Sequence, residues 1–375
     1  MSRESNTLDF GTVAVQSPPI RHVYMWALVR SLAERDPKSP IRVLEIGSWA
    51  GASSITWAKA LKAHSVQGIV ECVDPWKPYF DVDVHKEKKY KLMNDAAKDD
   101  SIFDLFKQNI RVADVDDIVR YRKGTSQEIL PTITDGTFHI VYIDGSHVCQ
   151  DVLFDLREGQ RLLTDGGVLC GDDLEAQLSE VDLASHKEAV SLKSDVAVDP
   201  RSKAAYHPGV TQAVGELFPD VSAWEGFWAM RRSGSTWNKL VLDVSGISIP
   251  DHLKNMPTFA ESYNEYNIFR VGERVLAIRQ QIGPVDLACS EEELTKCYDP
   301  FDLFFVPSLA YAESRIDMLQ LKRAIQGLGE RLAETERMVR DLSGQLAESE
   351  RVVRELKSRL VNSPLCRLLR RLRLV

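Results

Sequence analysis

A mostly parallel α/β sheet is predicted by three features of this 375-residue chain. Short apolar runs alternate with helical stretches as far as residue 232. The runs VLEI, GIVECV and FHIVYI are almost continuously apolar, as strands buried on both faces are. Glycine and acidic residues follow those runs, where open α/β sheets place their ligands. Strands that alternate with helices wind into right-handed βαβ units.

The elements follow in order. PPIRHVYMWALVRSLAER has helical apolar spacing and stops before Pro40. Ile41–Ile46 is a strand, Ala52–Ala63 a helix, and Gly68–Val73 a second strand ending at Asp74. One charged helical stretch is expected over about 84–110, then a third strand at Ile118–Arg122 and a short helix from Ser126. Phe138–Ile143 is the fourth strand, Asp151–Leu163 a helix and Gly167–Cys170 the fifth strand. Residues 174–210 read as a polar loop, His207–Phe218 as a helix and Phe227–Arg231 as a last strand. The first domain is therefore placed at 1–232.

Residues 233–311 carry glycine-punctuated runs, KLVLDV, NIFRVG and RVLAIRQ, and are read as a small β-rich module. From 312 to 362 apolar residues recur at spacings of three and four, opening with Met318, Leu321, Ile325, Leu328 and Leu332 and closing at Leu360. That is a heptad a/d series, so a coiled coil and a homo-oligomer are expected, with Thr335 and Ser349 as weak core positions. The tail, 363–375, sets Leu365, Leu368, Leu369 and Leu372 against four arginines. A basic amphipathic helix of that kind suits an anionic membrane surface. A basic terminus with no such role is the other reading, and the residues leave both open.

A net charge of -8 argues against broad nucleic-acid binding. MSRESNTLDF lacks a basic-then-apolar signal and no run of about 18 apolar residues occurs, so a cytoplasmic protein is expected. The six cysteines are scattered without a CxxC pair, which fits reduced thiols.

The chemistry concentrates at the strand ends. Glu45-Ile-Gly47-Ser-Trp-Ala-Gly51 is a glycine turn between strand and helix, where backbone can approach a ligand closely. Asp74 ends the second strand, about 27 residues beyond Gly47, and an acid there can accept from ribose hydroxyls; the alternative is a helix cap. Asp144 ends the fourth strand, and Asp172 and Asp173 end the fifth. Three carboxylates at one crevice need a cation between them, and Mg²⁺ with oxygen ligands is the expected one. The competing roles are a helix cap for Asp172 and a solvated Asp173. His147, three residues past Asp144, is a candidate general base. His186 and His207 have no assigned role, although His207 could line the substrate pocket. Trp76 and Tyr79 fit ring stacking or core packing. The sequence displays no two-histidine, one-carboxylate set, which speaks against an iron hydroxylase.

VLEIGSWAGASS, ECVDPWKPY, GTSQEILP and FHIVYIDGSHVCQDVLFDLREGQRLLTDGGVLCGDD together resemble the class I S-adenosylmethionine-dependent methyltransferases. Within these the chain is similar to the branch of macrolide-sugar and rhamnosyl O-methyltransferases and proteins labelled cephalosporin hydroxylase. The likeness spans about residues 20–232, with Trp49 where the wider superfamily has its middle glycine. It implies a Rossmann-like methyltransferase sheet with helices on both faces. It also implies that Glu45, Gly47 and Gly51 border the methionine half of S-adenosylmethionine, Asp74 holds the ribose, and Thr125 and Ser126 lie near the adenine. Asp144, Asp172 and Asp173 would hold the metal, and His147 would be the base. A dinucleotide is disfavoured because Ala52 replaces the third glycine of GxGxxG. The expected acceptor is a sugar or glycolipid hydroxyl in surface polysaccharide synthesis. A natural product or catechol, and a non-catalytic cofactor-binding scaffold, are the alternatives.

Overall fold

The computed structural model describes residues 18–81, 88–253, 258–272, 274–282, 291–364 and 370. The expected basic tail lies outside these, apart from residues 363, 364 and 370. Among the described residues no helix is long and apolar enough to cross a membrane.

The first part of the chain runs α1 (Pro19–Arg35), β1 (Ile41–Ile46), α2 (Ala52–Ala63), β2 (Gly68–Asp74), α3 (Lys88–Ala96), α4 (Ser101–Val112), β3 (Val119–Lys123) and α5 (Ser126–Ile129). It continues through β4 (Phe138–Ile143), α6 (Cys149–Leu162), β5 (Leu163–Leu174), α7 (Leu183–Ser191), β6 (Ala197–Val198), β7 (Ala205–Tyr206), α8 (Pro208–Leu217), β8 (Ser222–Trp224), β9 (Gly226–Ser233) and β10 (Thr236–Lys239). The strands order as β10-β9-β5-β4-β1-β2-β3, with β8 also on β9. The five from β3 to β5 are parallel, whereas β8, β9 and β10 are antiparallel. This is the Rossmann-like sheet that the resemblance implies.

The period-two alternation of strands divides the core between two faces. Val43, Ile140, Tyr142, Val168 and Cys170 face α1, α2 and α4. Leu44, Ile46, Val141, Ile143 and Leu169 face α6 and α8. Cys72 and Cys170 are buried and unbridged.

Three segments differ from the sequence-based expectation. The charged stretch is two helices, not one, because Asp99 and Asp100 take positive φ of 52° and 61° and break it. Residues 174–210 are not all loop, since α7 and the β6/β7 hairpin lie within them. The sheet also runs past residue 232: β10 pairs β9, and Leu240, Leu242 and Leu253 join the first core.

Beyond it, β11 (Thr258–Tyr263), β12 (Tyr266–Val271), β13 (Arg274–Arg279) and β14 (Leu303–Val306) form a separate antiparallel sheet, with α9 (Glu291–Cys297) between β13 and β14 in the chain. Phe269, Leu276, Ile278, Leu294 and Leu303 make its core. KLVLDV supplies no strand beyond Lys239. The chain divides into two compact units at Leu309/Ala310. In the second, α10 (Leu309–Asn362) is one 54-residue helix, about 80 Å long at 1.5 Å per residue. Its heptad positions from Leu321 to Leu360 are exposed.

Candidate active site

The glycine turn is shaped by its crossing with β4. Gly47 has φ +87°, and a Cβ there would stand 2.0 Å from the Asp144 carbonyl oxygen. Asp144 N donates to Ile46 O at 2.8 Å, and Gly47 N donates to Val73 O at 2.9 Å, so the ends of three strands are tied together. Gly51, φ +90°, is the left-handed N-cap of α2. Trp49 itself has φ 44°, so the bulky residue adopts the left-handed backbone that a glycine would favour.

Asp74 organises that turn. Its Oδ2 accepts from Ser48 N at 2.8 Å and Trp49 N at 3.0 Å, and its Oδ1 accepts from Trp76 N at 2.5 Å. With two lone pairs per oxygen, Oδ1 keeps one acceptor site. Burial raises the Asp74 pKa, and the backbone donors offset this only in part. Trp76 is fully buried against Phe103 and Phe106, which settles it as core rather than a stacking platform. Glu45 lies behind the turn. Its Oε2 accepts from Ser48 Oγ at 2.7 Å and from Ser54 Oγ, and burial raises its pKa. Thr125 caps α5 in a reciprocal capping box with Glu128. Gly124 N donates to the Asp74 carbonyl at 3.1 Å, which sets Thr125 and Ser126 beside the end of β2.

Across the crevice, His147 is gripped at both nitrogens. Nε2 is 2.8 Å from Asp173 Oδ2, and Nδ1 is 2.7 Å from Asp195 Oδ1. Carboxylates only accept, so both nitrogens donate and the ring is an imidazolium in this arrangement. Burial works against that charge, but Asp173 and Asp195 outweigh it and hold the pKa well above its usual value. Asp195 is held below its ordinary value: burial opposes this, and the hydrogen bond from His147 prevails. Tyr90 also donates its hydroxyl to Asp195.

His207 stands 4.5 Å from His147, ring to ring, and its Nδ1 is 3.0 Å from Glu175 Oε2. Gly209 makes this approach possible, because a Cβ there would meet the His147 carbonyl oxygen at 2.0 Å. His186 is elsewhere, between Tyr206 and Gln212. His147, Asp173 and His207 offer ligand atoms within 4.8 Å of one another. The two-histidine, one-carboxylate set that the sequence did not reveal is thus present in space.

Asp144, Asp172 and Asp173 do converge, lining with His147 a cavity of about 10 Å³, room for one water. Burial, then Asp172 and Asp173, push the Asp144 carboxyl well above its usual pKa, and its Oδ2 accepts from the Tyr142 hydroxyl at 3.1 Å. The cation beside the pair, however, belongs to the chain. Arg21 Nη1 is 2.7 Å from Asp172 Oδ1 and 2.8 Å from Asp173 Oδ1, and Nη2 is 2.7 Å from Glu175 Oε1. A divalent ion does not fit the donor set as it stands. Asp172 Oδ1 and both oxygens of Asp173 each give a lone pair to Arg21 or His147, and a divalent ion on these carboxylates would lie against a guanidinium already 2.7 and 2.8 Å from them. The expectation of a metal between these carboxylates rested on an unmet need for positive charge, and Arg21 meets it.

Arg21, Asp195 and Glu175 were not found from sequence. Arg21 sits in the first turn of a helix whose apolar spacing hides it, and its partners lie more than 150 residues away. Asp195 falls in the stretch read as polar loop. The one available signal was AYHPGV, where Pro208 and Gly209 mark a helix start beside His207.

Residues 44–174 match a protein family described as a methyltransferase domain. No curated protein matches the chain. Among solved structures, the chain is similar to the O-methyltransferase TomG of Streptomyces achromogenes, involved in tomaymycin synthesis and bound to SAM. The identity is 18%, over 59% of this chain and 82% of that one, with a TM-score of 0.36. A Bacillus cereus O-methyltransferase in complex with SAH is 19% identical over 58% and 80%, with a TM-score of 0.35. The O-methyltransferase NovP is 18% identical over 57% and 80%, with a TM-score of 0.40. Those identities and scores are too low for the likeness to carry function.

Proposed function

We propose, from the match of residues 44–174 to a methyltransferase-domain family, that the chain moves the methyl group of S-adenosylmethionine to an acceptor hydroxyl at the ends of β4 and β5. The observation that carries this reading is the Asp195–His147 pair across the crevice from the glycine turn. Asp195 fixes Nδ1–H, the orientation a histidine needs to work through Nε2. When an acceptor hydroxyl enters beside Nε2, the Nε2 proton would leave through Asp173 to solvent, and the neutral ring would become the base. Nε2 would then take the hydroxyl proton, and S-adenosylmethionine, when bound, would supply the electrophilic methyl group. The transferred methyl leaves S-adenosylhomocysteine. Holding the two reactants together supplies much of the rate.

On the cofactor side, Asp74 would hold the ribose through its remaining acceptor site, the 47–51 turn would border the methionine half, and Thr125 and Ser126 would lie by the adenine. The acceptor side is rich in hydrogen-bonding groups, namely Asp144, His147, Asp173, Glu175, Asp195 and His207, with Tyr90 beyond. Such a lining suits a polyhydroxylated acceptor, so a sugar or glycolipid is favoured over a flat catechol. A role in surface polysaccharide synthesis at the cytoplasmic side of a membrane follows as part of the same proposal. The heptad face of α10 would join copies of the chain as a coiled coil, and the basic tail would touch the lipid.

The test is transfer of radiolabelled methyl from S-adenosylmethionine into glycan and lipid fractions of cell extracts, with His147→Ala as control. Label that enters a saccharide fraction and needs His147 supports the reading. If no fraction is labelled, or if His147→Ala labels as well as the wild type, the proposal is wrong.

A further inference from the structure

Arg21 occupies a prepared socket. Its Nε donates to the Glu225 carbonyl at 2.6 Å, Nη1 to Asp172 and Asp173, and Nη2 to Glu175. These contacts use four of the five guanidinium N–H bonds. Gly226, at φ +92°, forms the floor. A Cβ there would lie 2.2 Å from Nη2 and 2.5 Å from Cζ, so any larger residue would displace the guanidinium. Glu225 also has a positive φ, 51°, and the turn it makes aims its carbonyl at Nε. Burial pulls the guanidinium toward the neutral form, but the three carboxylates outweigh it and hold the charge in place.

A second observation concerns the small cavity beside Asp144. Trp228 lines it, and the buried indole Nε1–H has no acceptor among the described residues. A water there could accept from Trp228 and donate to a carboxylate. A divalent cation offers that N–H no acceptor. Gly171 fixes that indole, since a Cβ at Gly171 would lie 2.8 Å from Nε1.

We propose that Arg21 is the resident cation of the acceptor site, standing where a divalent ion would otherwise bind Asp172 and Asp173, and that the site works without a metal. Arg21 is then a positioning residue: it fixes the carboxylate Asp173, which in turn faces His147. The proposal rests on reading these strand ends as the acceptor site, but its main test measures ion binding and so needs no turnover.

The experiment is titration of the full chain with Mn²⁺, followed by calorimetry and electron paramagnetic resonance, for wild type, Asp172→Asn, His207→Gln, Arg21→Ala, Arg21→Lys and the Arg21→Ala/Asp172→Asn double variant. Wild type is expected to bind no Mn²⁺ at the acidic pair. Folded Arg21→Ala is expected to gain one equivalent that the Arg21→Ala/Asp172→Asn double variant loses, whereas Arg21→Lys keeps a cation and gains none. One equivalent bound by wild type and abolished by Asp172→Asn overturns the proposal. So does a folded Arg21→Ala that gains nothing. Wild-type binding that survives Asp172→Asn but is lost in His207→Gln puts an ion on the His147, Asp173 and His207 set and overturns the proposal as well. If Arg21→Ala does not fold, the wild-type and Asp172→Asn titrations decide. Where methyl transfer is measurable, EDTA should change it by less than about twofold, because no ion is there to polarise the acceptor oxygen.

Discussion

Asp195 accepts a hydrogen bond from His147 Nδ1 at 2.7 Å, across 48 residues of chain. The contact joins a loop between α7 and β6 to the end of β4, and it fixes which imidazole nitrogen can meet an acceptor. Asp195→Asn should therefore lower kcat by about tenfold or more with little change in fold, because an amide no longer enforces that orientation. His147→Ala should lower kcat by about 10²–10⁴, the usual worth of a positioned base. Circular dichroism with steady-state kinetics checks both, and a full-rate Asp195→Asn would remove the pair from the mechanism.

The pH profile follows from the same contacts. Asp173 and Asp195 favour the charged ring and hold the His147 pKa well above 6.5, so the free base appears only as pH rises through that raised value. Activity should climb on the alkaline side. Removing the Asp195 charge lowers the His147 pKa, so in Asp195→Asn the acid limb should move to lower pH. A limb that stays in place would assign it to another group.

Two buried histidines predict acid sensitivity of the fold. His22 Nδ1 sits 2.7 Å from Thr56 Oγ1, and burial lowers its pKa from 6.5 to about 3; burial likewise lowers His252, 3.1 Å from the same hydroxyl, to about 4. Their folded pKa values are depressed, so below 6.5 the unfolded chain binds more protons than the folded one. The stability that these two rings contribute is therefore lost as pH drops from about 6.5 toward 3, against the opposite contribution of buried carboxyls such as Asp155, whose pKa burial raises to about 7. Urea unfolding at about pH 7.5 and about pH 5 should show it, and His22→Gln should flatten the slope. A slope in His22→Gln equal to that of wild type would contradict the burial of a neutral ring.

Gly47→Ala puts a methyl 2.0 Å from the Asp144 carbonyl oxygen at φ +87°. Strain of this sort costs about 1–3 kcal/mol, and it would part the cofactor turn from β4. Thermal unfolding should register the loss, and calorimetry should find S-adenosylhomocysteine bound at least about tenfold more weakly. Wild-type affinity would show that the crossing does not shape the cofactor site.

The exposed heptad face of α10 predicts self-association. Leu332→Glu with Leu346→Glu places charge at two positions of the seam and should convert an oligomer to a monomer in light scattering. Methyl transfer to a soluble acceptor should stay within about twofold, since both changes lie outside the catalytic unit. An unchanged mass would argue against the coiled coil.

What the sequence could reveal depended on the range of the interaction. Phe138–Ile143 was legible as a strand because six successive residues suit a strand buried on both faces, and Asp144 and His147 followed from its end. The break at Asp99 and Asp100 was not legible, because left-handed backbone at aspartate leaves no periodic mark. Arg21 was invisible for a different reason. A lone arginine on an amphipathic helix looks solvated, and the socket that receives it comes from residues 172–175 and 225–226. The carboxylates were therefore found, while the identity of their counter-charge was not.

Gly226 gives that counter-charge a wider meaning. A glycine 205 positions after Arg21 is the empty half of a two-part lock, and neither part works alone. Were a side chain to arise at 226, the arginine would have to leave, and the stranded acidic pair would then recruit a cation from solution. A single small residue, remote in sequence from every carboxylate it serves, would thus set whether a sheet end of this design draws its positive charge from the genome or from the medium.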